Sequence, residues 1–430
     1  MGRATLLPHG QSRRKAHNSR MTHDTDILIV GGGLNGPALA LALAQAQAGM
    51  RITVLDALPM DTRKDPQFDG RAYALALGSS RVLSALGIWE KVADHAQPIL
   101  QVKASDGRAG EGAAPFFLHF DAAELEEGPM GHMLEDRHLR RALLDAITAS
   151  AQITHHAQAR VTAQRVDAQG VRVTLEDGRE ISARLLIGCD GRDSGTAQRA
   201  GIRRTGWDYD QTALVCAIDH ALPHHGIAHQ FFMPAGPLAI LPLPGNRCSI
   251  VWSERSGQAR AIHALPDADY LDVLRPRFGD FLGEIALAGA RYAYPLKLTI
   301  ANSFIGPRLA LVGDAAHGMH PIAGQGFNFG LRDVAALAEV ITEAARRGED
   351  IANPLVLERY QQWRRFDTML MAVGTDSVNR LFSNDNALLR GLRDLGMGAV
   401  SALPPLRRRF MREAAGLTGN LPRLMRGLPI

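Results

Sequence analysis

Cysteine is scarce in this chain: Cys189, Cys216 and Cys248 are the only three in 430 residues, far apart and odd in number. That count argues against a disulfide framework and a cysteine zinc cluster, and it fits a reducing cytoplasm. No Cys-x-x-Cys occurs, which argues against a dithiol redox centre as well. No run of eighteen apolar residues is present, so a membrane-spanning helix is not expected. What remains, 46% hydrophobic and 21% charged, is the composition of a globular protein. A length of 430 residues suggests about two domains or one elaborated α/β unit.

Acid is nearly missing from the two ends. Residues 1–20 hold five basic side chains and no carboxylate, and residues 401–430 hold six arginines and one Glu. Without these ends the net charge of +4 becomes about −6 for residues 21–400. The pI near 9.1 therefore does not describe a basic folded body, and nucleic acid is not expected as a partner. Residues 1–20 lack the apolar core of a secretory signal. They read as a disordered basic extension outside the fold; a mis-assigned start, with Met21 directly before the folded sequence, is preferred to a transit peptide. The C-terminal arginines read either as a solvated tail or as attraction to an anionic membrane surface.

The stretch "DILIVGGGLNGPALALALAQAQAGMRITVLD", Asp26 to Asp56, predicts strand, glycine turn, helix and strand, a βαβ unit. Its Gly31-x-Gly33-x-x-Gly36 spacing supplies a tight turn, a close approach of backbone to a pyrophosphate and a helix–strand contact. The helix start adds free N–H groups and positive potential for phosphate. Asp56 ends the second strand 20 residues after Gly36, where an acid accepts hydrogen bonds from ribose. A carboxylate there disfavours a 2′-phosphate, which argues against NADP but does not separate NAD from FAD. Further on, "SSRVLSALGIWEKV" predicts a helix capped by Ser79 or Ser80, and "EDRHLRRALLDAI" another. Alternation around Asp177-Gly178 predicts a hairpin leading into a buried strand, Leu185–Cys189. Residues 205–295 read as an antiparallel sheet, Leu309–Val312 as another buried strand, about 327–347 as a helix, and 354–415 as mostly helical. Nucleotide-binding texture thus comes in three separated pieces around a β-rich insertion.

The stretch "LVGDAAHGMHPIAGQGFNFGLRD", Leu311 to Asp333, carries five glycines and the pair His317-x-x-His320. A metal needs three or four ligands, and beyond Asp314 none accompanies the pair, so no metal is expected. The histidines either buttress the glycine-rich loop or stand near a bound group, and Pro321 fixes φ where the chain must turn. Arg71, between Gly70 and an Ala/Leu stretch, reads as an anion contact in preference to a surface arginine. Arg137 has the same case, weakened by its neighbours Arg140 and Arg141. The aromatic and proline stretch Phe231–Pro244 is either sheet core or the lining of an apolar pocket.

Three motifs together, the glycine loop, Cys189-Asp190-Gly191 at a strand end and Gly313-Asp314 with "AAHGMHPIAGQGFN", resemble the flavoprotein aromatic hydroxylases, the class of para-hydroxybenzoate hydroxylase. Within that class, "DGRAYALALGSSRVLSALGIW", "GDAAHGMHPIAGQGFNFGLRD", "LFSND" and "REAAGLTGNLPRLMRG" resemble the ubiquinone-biosynthesis hydroxylases, over roughly residues 24–427. The resemblance implies an α/β fold. A Rossmann-like FAD-binding domain would be built from discontinuous segments (21–100, 131–204 and 296–350), with an inserted antiparallel β-sheet substrate domain (101–130 and 205–295) and a helical C-terminal region (351–430). It implies FAD as cofactor, its adenosine half held by Gly31, Gly33, Leu34, Asn35, Gly36 and Asp56. Arg71 and Arg137 would contact the cofactor, Asp190 would support its site, and Gly313-Asp314 would meet the ribityl chain. Pro321 and Gly324, Gln325, Gly326, Phe327 and Asn328 would approach the ring and pyrophosphate. His317, His320 and Pro321 are the catalytic candidates, and no triad is expected. One departure stands out: Ser194 is followed by Gly195, Thr196 and Ala197, where such enzymes usually place an arginine, which puts in doubt a nicotinamide role built on it.

The implied reaction is hydroxylation of a polyprenylated phenol by O₂ through a flavin hydroperoxide. Electrons would come from NAD(P)H or a reduced protein as transient donor, since no second glycine-loop unit is present. Expected partners are quinone-synthesis complex proteins and the membrane surface, met by the Arg407–Arg426 segment of a cytoplasmic, peripherally bound protein. Two rivals stay open: another FAD-dependent oxidoreductase of the same fold, and a non-catalytic FAD-bound scaffold. The Trp-x-Trp-x-Ile-Pro element of flavin halogenases is absent.

Overall fold

A computed structural model describes residues 23–110, 112–318, 325–382 and 403–430, without side chains at 112–117, 278, 325, 375 and 378–382. The expectations for residues 1–20, His320, Pro321, Gly324 and the Gln325 side chain lie outside the described residues. Three sheets organise the chain. The first runs in the order Ile305–Gly306, Leu309–Leu311, Glu180–Gly188, Thr25–Val30, Ile52–Leu55, Ile153–His156. Its four central pairings are parallel. Strands in such a sheet are covered on both faces, and Ile27, Leu28, Ile29, Leu185, Leu186 and Ile187 are all fully buried. The Asn35–Gln45, Asp136–Ala149 and Gln325–Arg346 helices share this core. The expected hairpin is present: Val171–Leu175 pairs antiparallel with Glu180–Gly188 across Gly178, whose φ is 85°.

The second sheet has eight strands, including two of 17 residues, Arg204–His220 and Ile285–Ala301, paired with each other. Its pairings are antiparallel except one, Ile227–Met233 beside Gln101–Arg108, which is parallel. Period-two alternation gives the sheet two different faces. Leu214, Cys216, Ile218, Leu238, Ile240, Ile250 and Trp252 pack beneath the Ser256–His263 and Asp267–Phe278 helices, on Ala259, Ile262, Tyr270 and Leu274. The alternate residues Ala213, Val215, Ala239, Leu241, Ser249 and Val251 face a cavity. The Phe231–Pro244 stretch is thus both core and lining: Phe231, Leu238 and Ile240 serve the first, Ala239 and Leu241 the second. A third, three-stranded sheet (Ala72–Ala76, Gly131–Glu135, Ala96–Ile99) shares a core with the second through Met133, Ile99, Ala217 and Leu243.

Three helices differ from the sequence expectation: Ser256–His263 and Asp267–Phe278 interrupt the 205–295 stretch read as antiparallel sheet, their Ala259/Ile262 and Tyr270/Leu274 pairs burying at helical spacing, and a third has other ends than expected. Ser79 and Ser80 do not cap it; the helix spans Leu77–Ala85, and both serine hydroxyls are buried without partners. The start is displaced because Asn328 reaches across from another helix. Its Oδ1 accepts from Ala76 N at 2.9 Å and its Nδ2 donates to Ala74 O at 2.8 Å. The end comes early because Gly87, at φ 65°, turns the chain out of helix.

A buried charge cluster ties the loop at Gly313 to the helices behind it. Asp333 accepts from Gly313 N at 2.9 Å, His317 Nε2 at 2.6 Å and Arg364 Nε at 2.7 Å. The three side chains are at most 1% exposed. Burial works to raise the Asp333 carboxyl, but the charges on His317 and Arg364 and their hydrogen bonds outweigh it and hold it below the usual range. An acid with a lowered folded value stabilises above its unfolded value and loses that stabilisation as pH falls through the folded one. Asp333→Asn should therefore cost about 3–5 kcal/mol at neutral pH by leaving Arg364 buried and underpaired. In urea titrations the gap between variant and wild type should narrow as pH falls below 3.8, the ordinary carboxyl value.

Candidate active site

A cavity of about 460 Å³ lies where the three sheets meet. From the first sheet's side it is lined by Leu34, Asn35, Cys189, Gly191, Arg192, Asp314, Gly326 and Phe327, from the third by Arg71–Ala74, and from the second by the apolar face with Tyr294 and Leu296. Residues from every third of the chain converge here because the parallel strands Thr25–Val30, Glu180–Gly188 and Leu309–Leu311 lie side by side. The loops that follow them line the cavity, as expected for a ligand crevice at the carboxyl ends of strands.

The glycine loop meets the demands its spacing made. A Cβ on Gly31 would overlap the Cys189 carbonyl, and one on Gly36 would overlap the Gly31 carbonyl, so both are needed for packing. A Cβ on Gly33, Gly191 or Gly326 would meet nothing within 4 Å, so at these points bare backbone borders open space. The Asn35–Gln45 helix starts at Leu34 without a side-chain cap, leaving its first N–H groups for a ligand. Asn35 is held between Gly313 and Gly330, either of which would clash with it if it bore a Cβ, and its Oδ1 is buried without a partner. An uncapped helix start, an open glycine and a nearby carboxylate are what a dinucleotide's pyrophosphate and ribose require, so the residues present fit FAD.

The remaining expected residues have the following surroundings. Asp56 lies against Gly32 and is 1% exposed. It accepts from Arg63 at 2.7 and 2.9 Å and from Leu58 N at 3.0 Å, so a ribose would share or replace the Arg63 contact. Asp314 borders the cavity and pairs with Arg192 at 3.3 Å. Arg204 ties the two loops together, donating to Arg192 O at 2.7 Å and Asp314 O at 2.8 Å. Arg71 lines the cavity and pairs with Asp69 and, at 3.5 Å, with Asp136. Burial disfavours its charge, but the Asp69 carboxylate outweighs that and holds its pKa above the ordinary value. Tyr73, another lining residue, donates to Asp136 at 2.9 Å.

Arg137 is not among the lining residues; it pairs with Glu135 at 2.7 Å and donates to Pro66 O at 2.8 Å. The Asp190 carboxylate is used within its own loop, accepting from Ser194 Oγ at 2.5 Å and from Thr196 N and Oγ1 at 2.9 and 2.8 Å. His317 is in the Asp333 cluster, a buttress to the Gly313 loop. Among the described residues no group of three or more His, Cys, Asp or Glu could hold a metal ion. Burial pushes the Cys189 thiol well up, so the cavity holds no thiolate there. Sequence reasoning passed over Arg63, Arg192, Arg204 and Tyr73. Only Arg192 had a local signal, standing directly after the Asp190-Gly191 pair.

Comparison with known proteins agrees with this geometry. Residues 24–370 match the family described as FAD binding domain. The ubiquinone hydroxylase UbiL of Rhodospirillum rubrum is 47% identical over 408 residues, covering 94% of this chain and 93% of its own. The 3-demethoxyubiquinol 3-hydroxylase of Escherichia coli is 36% identical, covering 91% of this chain and 99% of its own. Among solved structures, p-nitrophenol 4-monooxygenase PnpA of Pseudomonas putida superposes with a TM-score of 0.76 over 92% of this chain and 98% of its own. At 19% identity that likeness is one of fold.

Two glycine substitutions separate packing from ligand space. Gly36→Ala should abolish soluble, folded protein, because its Cβ has no room. Gly33→Val should purify with an unchanged melting temperature in the flavin-free form but without bound flavin, read from the 450 nm absorbance at the order-of-magnitude level of a hundredfold loss in affinity, about 3 kcal/mol.

Proposed function

The chain belongs to the FAD binding domain family, and on that footing we propose that it hydroxylates the aromatic ring of a polyprenylated phenol in ubiquinone biosynthesis. It is an FAD-dependent aromatic-ring monooxygenase. The observation that carries the substrate reading is the cavity itself, with a cofactor-type backbone cradle on one side and an apolar sheet face on the other. Bound FAD supplies the reduction of O₂ and the transfer of one oxygen atom. The helix start at Leu34-Asn35 and the open backbone at Gly33 would hold its pyrophosphate. Asp56 would hold a ribose, and Asp314 with Gly326 and Phe327, which line the cavity, would hold the flavin half. Ala213, Val215, Ala239 and Val251 exclude water from the reacting ring and hold it flat. Tyr294 and Tyr73 stay neutral, since burial raises both phenols. Electrons come from NAD(P)H or a reduced protein that binds transiently.

Among the described residues no helix is long and apolar enough to cross a membrane. The Pro404–Ala414 helix supports a bilayer-surface position. Arg408 and Arg409 are exposed beside Leu403, Leu406 and Phe410, while Arg407 and Arg412 pair with Glu124 and Glu127. Membership in a quinone-synthesis complex belongs to the same reading.

Purified protein should carry flavin absorbance, and a prenylated phenol should stimulate its NAD(P)H oxidation with one atom of ¹⁸O₂ entering the ring. Flavin bound without any such turnover favours the scaffold reading and sinks the hydroxylase one. Arg408→Ala combined with Arg409→Ala should weaken binding to anionic phosphatidylglycerol vesicles roughly 30-fold, at about 1 kcal/mol per arginine. Unchanged co-sedimentation would remove this helix from the membrane reading.

A further inference from the structure

The cavity face of the second sheet is apolar almost throughout, and its one deeply buried hydroxyl is Ser249. Val215, Val251 and Ala239 form one cross-strand row, and Ala217, Ser249 and Leu241 form the next. Ser249 is 2% exposed and lines the cavity. Among the described residues its hydroxyl makes no hydrogen bond, and it is not one of the fully enclosed orphan atoms, so it opens on the cavity. A ligand that covers this hydroxyl without bonding it leaves a desolvated, unpaired group, a cost that an alanine here would not carry. An unpaired donor aimed into a cavity is a contact waiting for a ligand atom.

Its position says which atom. Tyr294, which lines the cavity and stacks on Tyr292 of the same face, is opposite Ala213, four residues along the strand from Ala217, or about 14 Å. Tyr294 is 38% exposed. Beyond it come Leu296 and then Thr299, which pairs with Gly318 in the loop that follows Asp314. The sheet face therefore runs from a cofactor-side, open end at Tyr294 to a closed end at Ser249. A planar ring on this face presents one edge toward the cofactor side and the opposite edge toward Ser249.

We propose that Ser249 Oγ binds an oxygen substituent, hydroxyl or ether, on the edge of the aromatic ring remote from the carbon that is hydroxylated, and so sets which carbon faces the cofactor. This rests on the aromatic-hydroxylase reading above. A buried hydroxyl rejects an analogue that lacks its partner more sharply than an apolar wall rejects a missing methyl, because the hydroxyl is left unpaired. The ring is then held in one rotation about its normal, which apolar packing alone would leave free.

The holoenzyme is assayed with two short-chain prenylated phenols, identical except that one lacks the ring oxygen opposite the reacting carbon. Wild type, Ser249→Ala and Ser249→Thr are compared for KM, kcat, hydroxylated product per NAD(P)H consumed, and product regiochemistry. Flavin content and melting temperature are read in parallel. Wild type should prefer the fully oxygenated phenol about tenfold in kcat/KM. Ser249→Ala should keep its flavin and melting temperature, lose that preference, release hydrogen peroxide and give mixed regioisomers, and Ser249→Thr should restore the preference. If Ser249→Ala discriminates between the two phenols as wild type does, the proposal is overturned. It is equally overturned if wild type turns over both alike, a result that needs no variant to fold. Failure of wild type to hydroxylate either phenol would instead overturn the reading on which the proposal rests.

Discussion

The carboxylate of Asp333 is the point on which the site's geometry turns. It accepts at once from a loop amide at Gly313, from His317 further along that loop, and from Arg364 on the following helix. A fully buried carboxylate is tolerated only when its lone pairs are filled and its charge is met, and here both conditions hold. The Gly313-Asp314 turn is thereby set against the Gln325–Arg346 helix, and Asp314 is left at the cavity, where Arg192 pairs with it. Arg364 contributes a second constraint by pairing with Asp367, and its guanidinium lies 5.9 Å from the Phe329 ring centre.

From this anchor the rest of the cavity follows by close approaches of backbone. The Asn35 side chain sits between Gly313 and Gly330, and Gly31 meets the Cys189 carbonyl, so the three strand-end loops interlock where glycines leave room. Asn328 then binds the edge of the third sheet through Ala74 and Ala76, which brings Arg71 and Tyr73 to the cavity. The second sheet closes the space with a face of small and branched apolar side chains, held rigid because its other face is packed under two helices. A cradle of polar backbone thus faces a dry wall, the division of labour a cofactor and an apolar aromatic substrate require.

Much of this was legible locally. The glycine loop, the buried strands on either side of it, the hairpin at Asp177-Gly178 and the long helix before Arg347 all follow from periods and turn residues in short windows. The split of the first sheet into separated segments was legible too, because each segment carries its own buried-strand texture. The roles of individual polar residues were less so. Nothing near Asp56 in the chain says that Arg63 will fold back on it, and nothing near Arg137 says that Glu135 and Pro66 will hold it away from the cavity. His317, conspicuous beside His320 in sequence, is a buttress because of Asp333, 16 residues on.

By itself, then, the sequence determined the buried strands of the first sheet and the tight glycine turn at the first strand end, since those outcomes depend on short-range periodicity and on glycines whose Cβ would have no room, but it did not separate the Ser256–His263 and Asp267–Phe278 helices from the sheet around them. The tertiary structure alone decided which charges pair, where the first turn of the Leu77–Ala85 helix begins, and which residue on the apolar face carries the unpaired hydroxyl. Those depend on contacts between residues far apart in the chain: Asn328 with Ala76 is 252 positions distant. Such pairings are set by packing of whole elements, and no local pattern encodes them.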